Sequence, residues 1–151
     1  MLNTGPAPLA ILLENDVFFA VKIVDTLNRD GYNVQVARSL QVFRDLLPGG
    51  AFRVALVNLA ARGIDWQAGI AAARDAGIPV IAYGPHVDLD GQTAARAAGA
   101  TRVIANSRIA ELGAVVEAAV RRVTPRPAPL PEDDGSEGAT QEDAGRSDEQ
   151  P

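Results

Sequence analysis

The chain has 151 residues, 47% of them hydrophobic, and a single domain of this length can bury a full core. It contains no cysteine and one histidine, which excludes disulfides and cysteine nucleophiles and argues against histidine-rich metal sites or a Ser-His-Asp triad. The net charge of the chain is −5, but residues 124–151 alone carry −6, from eight acidic and two basic residues. Residues 1–123 therefore carry +1, and this small positive charge disfavours nucleic acid as a partner.

The sequence has no membrane or export signal that we recognise. No run of 18 apolar residues is present, and the N-terminus lacks a basic segment followed by an apolar stretch. We therefore expect a cytoplasmic protein that does not bind a membrane. Residues 1–8, with Gly5, Pro6 and Pro8, are expected to form a loose lead-in.

Short apolar runs alternate with helical patterns through residues 9–123. The predicted strands are 9–13, 33–37, 54–57, 79–83 and 102–105. The expected N-caps of helices are Asp16 or Asn15, then Ser39, Asp65 and Ser107, because these side chains can accept from first-turn N–H groups. Five such strand and helix repeats predict one α/β domain over residues 9–123: a flavodoxin-like, doubly wound parallel sheet of order 2-1-3-4-5 with five helices.

The third predicted strand ends at a polar residue. Val54 to Val57 are uniformly apolar, which is typical of a parallel strand covered on both faces, and Asn58 stops the run. Ligands of open parallel sheets collect beyond the carboxyl ends of the strands. The sequence therefore directs attention to the crevice around Asn58.

The distributed pattern of residues 9–123 resembles a response-regulator receiver domain of the CheY-like type. The segments that carry the resemblance are the acidic cluster after the first strand, residues 30–34, residues 62–65 after the third strand, residues 79–81, and residues 97–101. In that family an Asp ends the third strand and accepts phosphate, two acidic residues after the first strand help to hold Mg²⁺, a Ser or Thr ends the fourth strand, and a Lys ends the fifth. The resemblance thus implies a role in two-component signal transduction.

This chain departs from the family pattern at most of those positions. Glu14 and Asn15 take the place of the acidic pair, with Asp16 one residue further; Asn58 replaces the phosphoacceptor, Tyr83-Gly84 the Ser or Thr, and Asn106 the Lys. Phosphoryl transfer to a receiver needs a carboxylate nucleophile, a divalent metal and a cation. The sequence therefore resembles an atypical, or pseudo, receiver with a degenerate phosphorylation site, no catalytic residue and no cofactor.

Asn58 and Asn106 can both donate and accept hydrogen bonds without charge, which suits a site that keeps its polar groups satisfied but no longer catalyses. Glu14 and Asp16 are weak candidates for a metal site, and solvated helix-capping carboxylates are the favoured alternative. His86 lies in the loop after the fourth strand, where a base or pH sensor and a plain exposed histidine are both open, the second being favoured.

Two regions are candidates for contact with a protein partner. Trp66, at the start of the third helix, could anchor an interface or lie over the loop after the third strand. The fifth helix carries Ile109 and Leu112 beside Glu111 and Arg122, a stripe that could cover the sheet and still support a constitutive homodimer or complex.

Residues 124–151 are proline-rich and then acidic, with almost no bulky apolar residue, so disorder is expected, and a solubilising tail is favoured over a specific binding arm. The predicted function is a phosphorylation-independent interaction module in bacterial signalling or regulation, with a protein partner. The alternative is a small enzyme or ligand-binding protein of flavodoxin-like fold that uses the crevice. Its lining would be Glu14, Asp16, Asn58, Tyr83, Gly84, His86 and Asn106.

Overall fold

The computed structural model describes residues 7–85 and 89–123. The strands are β1 (Leu9–Leu13), β2 (Asn33–Ala37), β3 (Phe52–Asn58), β4 (Val80–Gly84) and β5 (Arg102–Ala105). The helices are α1 (Val17–Arg29), α2 (Leu40–Leu46), α3 (Trp66–Asp75), α4 (Leu89–Ala98) and α5 (Leu112–Val123), with a 3-10 helix (Asn106–Glu111) before α5. Most of the predicted lead-in, the whole predicted tail and His86 lie outside the described residues.

The five strands form one parallel sheet of order β2-β1-β3-β4-β5, which confirms the predicted fold class. The register places Leu13 beside Val57 and Asn58 beside Tyr83. The carboxyl ends of β1, β3 and β4 are therefore level with one another. Side chains at these three ends can touch across the top of the sheet, which is what creates the site described below.

The core consists of two apolar layers, one on each face of the sheet. One layer lies beneath α1 and α5 and includes Val54 and Leu56; the other lies beneath α2, α3 and α4 and includes Ala55 and Val57. Successive strand residues point to opposite faces, so both faces of β3 are buried. This explains the uninterrupted apolar run in its sequence.

Three of the four predicted helix caps are confirmed. The Asp16 side chain accepts from the Phe18 and Phe19 N–H groups, and Ser39 and Asp65 cap α2 and α3. Each satisfies a first-turn donor that the helix itself leaves unpaired.

The fourth cap, Ser107, was predicted wrongly, because it lies inside the 3-10 helix that precedes α5. In a 3-10 helix residues three apart are aligned on one face. That spacing brings both Ile109 and Leu112 onto the core side, where they are 2% and 1% exposed. No helix in the described part of the chain meets the length and apolarity needed to cross a membrane.

Candidate functional site at the carboxyl ends of the strands

A completely buried carboxylate stands at the end of β1. Glu14 is 0% exposed, and its backbone N–H donates to the Ala37 carbonyl oxygen of β2 at 3.0 Å, which carries the sheet pairing one residue past the strand. Among the described residues no arginine or lysine forms an ion pair with it. A buried charge without a cation is costly unless hydrogen-bond donors surround it.

Asn58 supplies the first of those donors. Its Nδ2 lies 2.8 Å from Oε1 and 2.9 Å from Oε2 of Glu14, while its Oδ1 accepts from the Ala60 N–H at 2.8 Å. The backbone bond fixes which end of the amide faces Glu14, since a flipped amide would set two acceptors against each other and two donors against each other. Asn58 thus donates and accepts at once, and it is 5% exposed.

Tyr83 supplies the second donor from β4, the neighbour of β3. Its hydroxyl donates to Glu14 Oε1 at 2.6 Å, and its ring packs against Phe19 with centroids 6.3 Å apart. Burial raises the pKa of the Tyr83 hydroxyl well above its ordinary range, and the negative charge of Glu14 raises it further. The hydroxyl therefore stays protonated and remains a donor over the whole physiological range.

The turn between β1 and α1 completes the arrangement. The Asp16 N–H donates to Glu14 Oε2 at 3.0 Å, so the residue that caps α1 also bonds the buried carboxylate. Asn15 points away and donates from Nδ2 to the Arg62 carbonyl oxygen at 2.8 Å, which ties this turn to the loop after β3. Both oxygens of Glu14 are engaged by donors, which is the pattern that a carboxylate, an acceptor only, requires.

An open polar cavity of about 340 Å³ lies next to this network, above the strand ends. Its lining consists of Glu14, Asn15, Asp16, Phe19, Asn58, Ala60, Ala61, Arg62 and Asn106. Asn106 begins the 3-10 helix, and its Oδ1 is buried without a hydrogen-bond partner from the protein. The two asparagines singled out from the sequence therefore differ: Asn58 is fully paired, and Asn106 is not.

Gly84 closes β4 beside Tyr83 and is buried. A Cβ atom at this position would come within 3.2 Å of the Leu59 Cβ atom, which is closer than side chains normally approach. Neither Gly84 nor Tyr83 lines the cavity. The crevice predicted from the sequence is therefore built from the ends of β1 and β3 and the start of the 3-10 helix, with β4 contributing underneath.

The residues present do not fit a Mg²⁺ ion. Mg²⁺ demands near-octahedral oxygen ligands and binds through carboxylates that are free to face it. Both Glu14 oxygens are already engaged by Asn58, Tyr83 and the Asp16 backbone, and Asp16 caps α1 through Oδ1. No group of three or more His, Asp or Glu side chains able to hold a metal occurs among the described residues.

The contact between Tyr83 and Glu14 was not predicted from the sequence, which placed both residues at the crevice without pairing them. A signal was available, because a tyrosine in a wholly apolar strand needs a partner for its hydroxyl once the ring is buried. An acidic residue that ends the strand two places away in the sheet is such a partner. The order of the strands was needed to see it.

The predicted interface on α5 requires a correction. Ile109 and Leu112 belong to the core layer beneath α1 and α5, so their side chains are not available to a partner. Glu111 is exposed and pairs with Arg108 at 2.9 Å, and the side chain of Arg122 lies outside the described residues. Trp66 is half-buried and packs against the other core layer.

Comparison with solved structures identifies the fold as that of response-regulator receiver domains. A putative response regulator from Chloroflexus aurantiacus J-10-fl is similar with a TM-score of 0.71 and 20% identity, covering 78% of this chain and 100% of that one. The receiver domain of the Francisella response regulator 1452 is similar with a TM-score of 0.68 and 17% identity, covering 78% and 99%.

A signal receiver domain of an HD domain-containing protein from Pseudomonas fluorescens Pf-5 is similar with a TM-score of 0.70 and 15% identity, covering 82% of this chain and 93% of that one. No protein-family model matches the sequence, and no curated protein matches it either. At these identities the likeness establishes the fold: a CheY-like receiver architecture.

Proposed function

We propose that this chain is a phosphorylation-independent receiver-like module that acts by binding another protein in bacterial signalling or regulation. The observation that carries the proposal is the closed network of Glu14, Asn58 and Tyr83. In this network both Glu14 oxygens, both polar atoms of the Asn58 side chain and the Tyr83 hydroxyl have a partner within the protein. The solved structures of similar fold are described as response regulators or signal receivers, which supports the signalling context.

Asn58 cannot serve as a phosphoryl acceptor in the way that a carboxylate does. Its nitrogen lone pair is delocalised into the amide, and both of its polar atoms are used in hydrogen bonds of 2.8 to 2.9 Å. A nucleophile has to present a free lone pair to the phosphorus atom. The residue at the phosphoacceptor position of the receiver fold is therefore not a nucleophile in this chain.

The other two requirements of phosphoryl transfer also lack a candidate. A cation would have to stabilise the developing charge, and Asn106 offers a neutral amide at the start of the 3-10 helix. Arg62 lines the cavity from the opposite loop, but it does so beside Asp16 and Glu14, whose charges offset its own. Catalysis at this site would need a metal that the donor set does not fit, so we propose that the chain is not an enzyme.

The alternative, a small ligand held in the crevice, has one observation in its favour. Asn106 Oδ1 is buried without a partner and lies in a cavity of about 340 Å³ that could admit a hydrogen-bond donor. The cavity is wide open and polar, however, whereas most ligand sites are enclosed and predominantly apolar. A cluster of exposed apolar side chains lies elsewhere, on α1, which supports association with a protein instead.

The test is to incubate the full chain with Mg²⁺ and a small phosphodonor and to measure its intact mass. We expect no phosphorylated species. A phosphoryl group mapped to Glu14, Asp16 or Asn58 would overturn the proposal. As a positive control, a receiver domain that retains its acceptor Asp is treated in the same buffer, so that a negative result reflects the chain and not the reagent.

A further inference from the structure

Three of the five large apolar side chains that are exposed in the described domain lie close together at the start of α1; the other two, Val42 and Leu89, lie singly on α2 and α4. Val17, Phe18 and Val21 are 56%, 87% and 62% exposed, and they lie within the first two turns of the helix. Clustered apolar groups at the surface of a monomer commonly mark a contact site. The opposite side of α1 packs into the core through Ile23 and Leu27. The helix therefore has apolar residues on its outer side in addition to those that pack against the sheet.

These side chains continue into a groove between α1 and strand β2. Two adjoining depressions share Ala20, Val21 and Val36, and the one nearer the C-terminal end of α1 has a volume of about 340 Å³ and a mainly apolar lining that adds Val24. Because β2 is the outermost strand on this side, no helix or strand of the described chain covers the groove. Its floor is therefore the edge of the sheet.

The edge of β2 is open to further pairing. Asn33 donates its N–H to the Pro8 carbonyl, and the Ala37 carbonyl accepts from Glu14, so residues 33 and 37 turn their backbone groups towards β1. Backbone groups alternate along a strand, so Val34 and Val36 turn theirs outward. The strand Asn33–Ala37 contains no charged residue and no proline, which are the devices that usually prevent an edge from pairing.

We propose that a second copy of this chain occupies the groove, with the two β2 strands paired antiparallel about a two-fold axis. Centred on Gln35, this register sets Val34 opposite Val36 of the second copy, and these are the residues whose N–H and C=O groups face outward. Such residues form the hydrogen-bonded pairs of an antiparallel ladder. The inference rests on the proposed function, because it names the surface and the partner of the interaction module.

The apolar side chains agree with the same register. Val34 and Val36 point to the α1 face of the sheet, where both pack against the core layer beneath that helix. Pairing across the axis therefore places four valines side by side under the two α1 helices. The exposed Val17 and Val21 and the half-buried Val24 on each helix then lie above them and face their symmetry mates.

The charges at the two ends of the groove select an antiparallel arrangement and a self-complementary partner. Arg38 lines one end, next to Asp16, while Asn28 and Asp25 line the other, where Asp25 pairs with the exposed Arg29 at 2.6 Å. An antiparallel two-fold brings Arg38 of each copy to the Asp25 end of the other, where Arg38 can share the Asp25 carboxylate with Arg29. A parallel arrangement would set Arg38 beside Arg38, which is unfavourable.

Sedimentation velocity of the full chain at micromolar concentration tests the proposal. We expect a dimer, and we expect Val21→Glu to weaken it by at least about tenfold, since it buries an unpaired charge in the contact. Val42→Glu is the matched control: Val42 is 43% exposed on α2, on the other face of the sheet, and its replacement should leave the dimer unchanged. Val21 is exposed in the monomer, so neither variant is expected to prevent folding.

A charge exchange makes the register falsifiable. Arg38→Asp and Asp25→Arg should each weaken the dimer by about tenfold, and the double variant should restore it. A chain that is monomeric at these concentrations would overturn the inference, as would a dimer that is indifferent to Val21→Glu or not rescued by the exchange. Failure here is distinguishable from failure of the proposed function: a monomer without phosphorylation contradicts only the dimer, and a phosphorylated dimer contradicts only the function.

Discussion

The carboxyl ends of the strands bury polar side chains, whereas the outer side of α1 exposes apolar ones. At the top, the polar side chains of Glu14, Asn58 and Tyr83 are buried, and each has found a partner within 2.9 Å. On α1, the apolar side chains of Val17, Phe18 and Val21 are more than half exposed to solvent. Breaking a satisfied polar network costs free energy, whereas covering exposed apolar surface lowers it. The contrast is the basis of the proposal that this chain acts by association and not by phosphoryl chemistry.

The largest effect is expected when Asn58, at the end of β3, is replaced by a carboxylate, because this disrupts the network around Glu14. Asn58→Asp removes the donor that faces both Glu14 oxygens and sets a second acid against them. We expect a loss of about 3 kcal/mol in the free energy of unfolding at pH 7, as for other buried charges left without their partner. Urea unfolding measures the loss.

The pH dependence of that variant has a definite sign. Repulsion between two acids raises the folded-state pKa of the introduced carboxyl above its unfolded value of about 4. The folded state then binds more protons than the unfolded state above that pH, so stability falls as pH rises and recovers on acidification. Gln67→Glu, the same exchange at an exposed position, is the control and should change stability by less than about 0.5 kcal/mol. Equal stability of the two variants would contradict the account.

Tyr83→Phe keeps the ring and removes only the hydroxyl bond to Glu14. We expect a loss of about 2 kcal/mol, in the range for hydrogen bonds to charged groups. Tyr32→Phe is the control, since the Tyr32 hydroxyl lies 3.4 Å from Glu117, a residue with an exposed side chain, and its loss should cost less. If the two substitutions cost the same, Tyr83 does not hold the buried carboxylate.

The architecture followed from the sequence, and the contacts of the site did not. Apolar runs and caps at Asp16, Ser39 and Asp65 are local signals, and they sufficed for strands, most helix starts and sheet order. The Glu14 network depends on side chains 44 and 69 residues apart in sequence, which no local pattern encodes.

The apolar stripe of the fifth helix also could not be assigned from the sequence alone. Its apolar stripe is compatible with both a core face and an interface, and only the packing of Ile109 and Leu112 decides for the core. A cluster of exposed apolar side chains lies instead on α1, which was not among the candidate interfaces predicted from the sequence. Periodicity reports that a face is apolar, not what covers it.

The Tyr83 hydroxyl also predicts how stability changes in alkali. Burial and the nearby Glu14 charge raise its folded-state pKa above the ordinary value of 10.0, so above that pH the unfolded chain releases a proton that the folded chain keeps. Stability should therefore fall as pH rises beyond about 10. The fall should be smaller in Tyr83→Phe, as followed by urea unfolding between pH 9 and 11; parallel curves would show that Tyr83 is not responsible.

The smallest effect is expected on the outer side of α1. Phe18→Ala removes a large side chain that is 87% exposed, so the free energy of unfolding should change by less than about 0.5 kcal/mol at concentrations too low for self-association. Phe19→Ala, one residue further, removes a ring packed against Tyr83 and should cost about 2 kcal/mol or more. A large loss at Phe18 would mean that it is covered within the monomer.

The central claim, that the carboxyl ends of the strands are closed to metal-dependent chemistry, is tested most directly by titrating the full chain with Mg²⁺ while following backbone amide resonances. Because the Asp16 N–H and the Asn58 side-chain amide both donate to Glu14, a metal on that carboxylate would have to displace them. We predict no saturable shift at Asp16, Asn58 or Ala60 up to millimolar Mg²⁺. A saturable shift centred on these three residues would contradict the account.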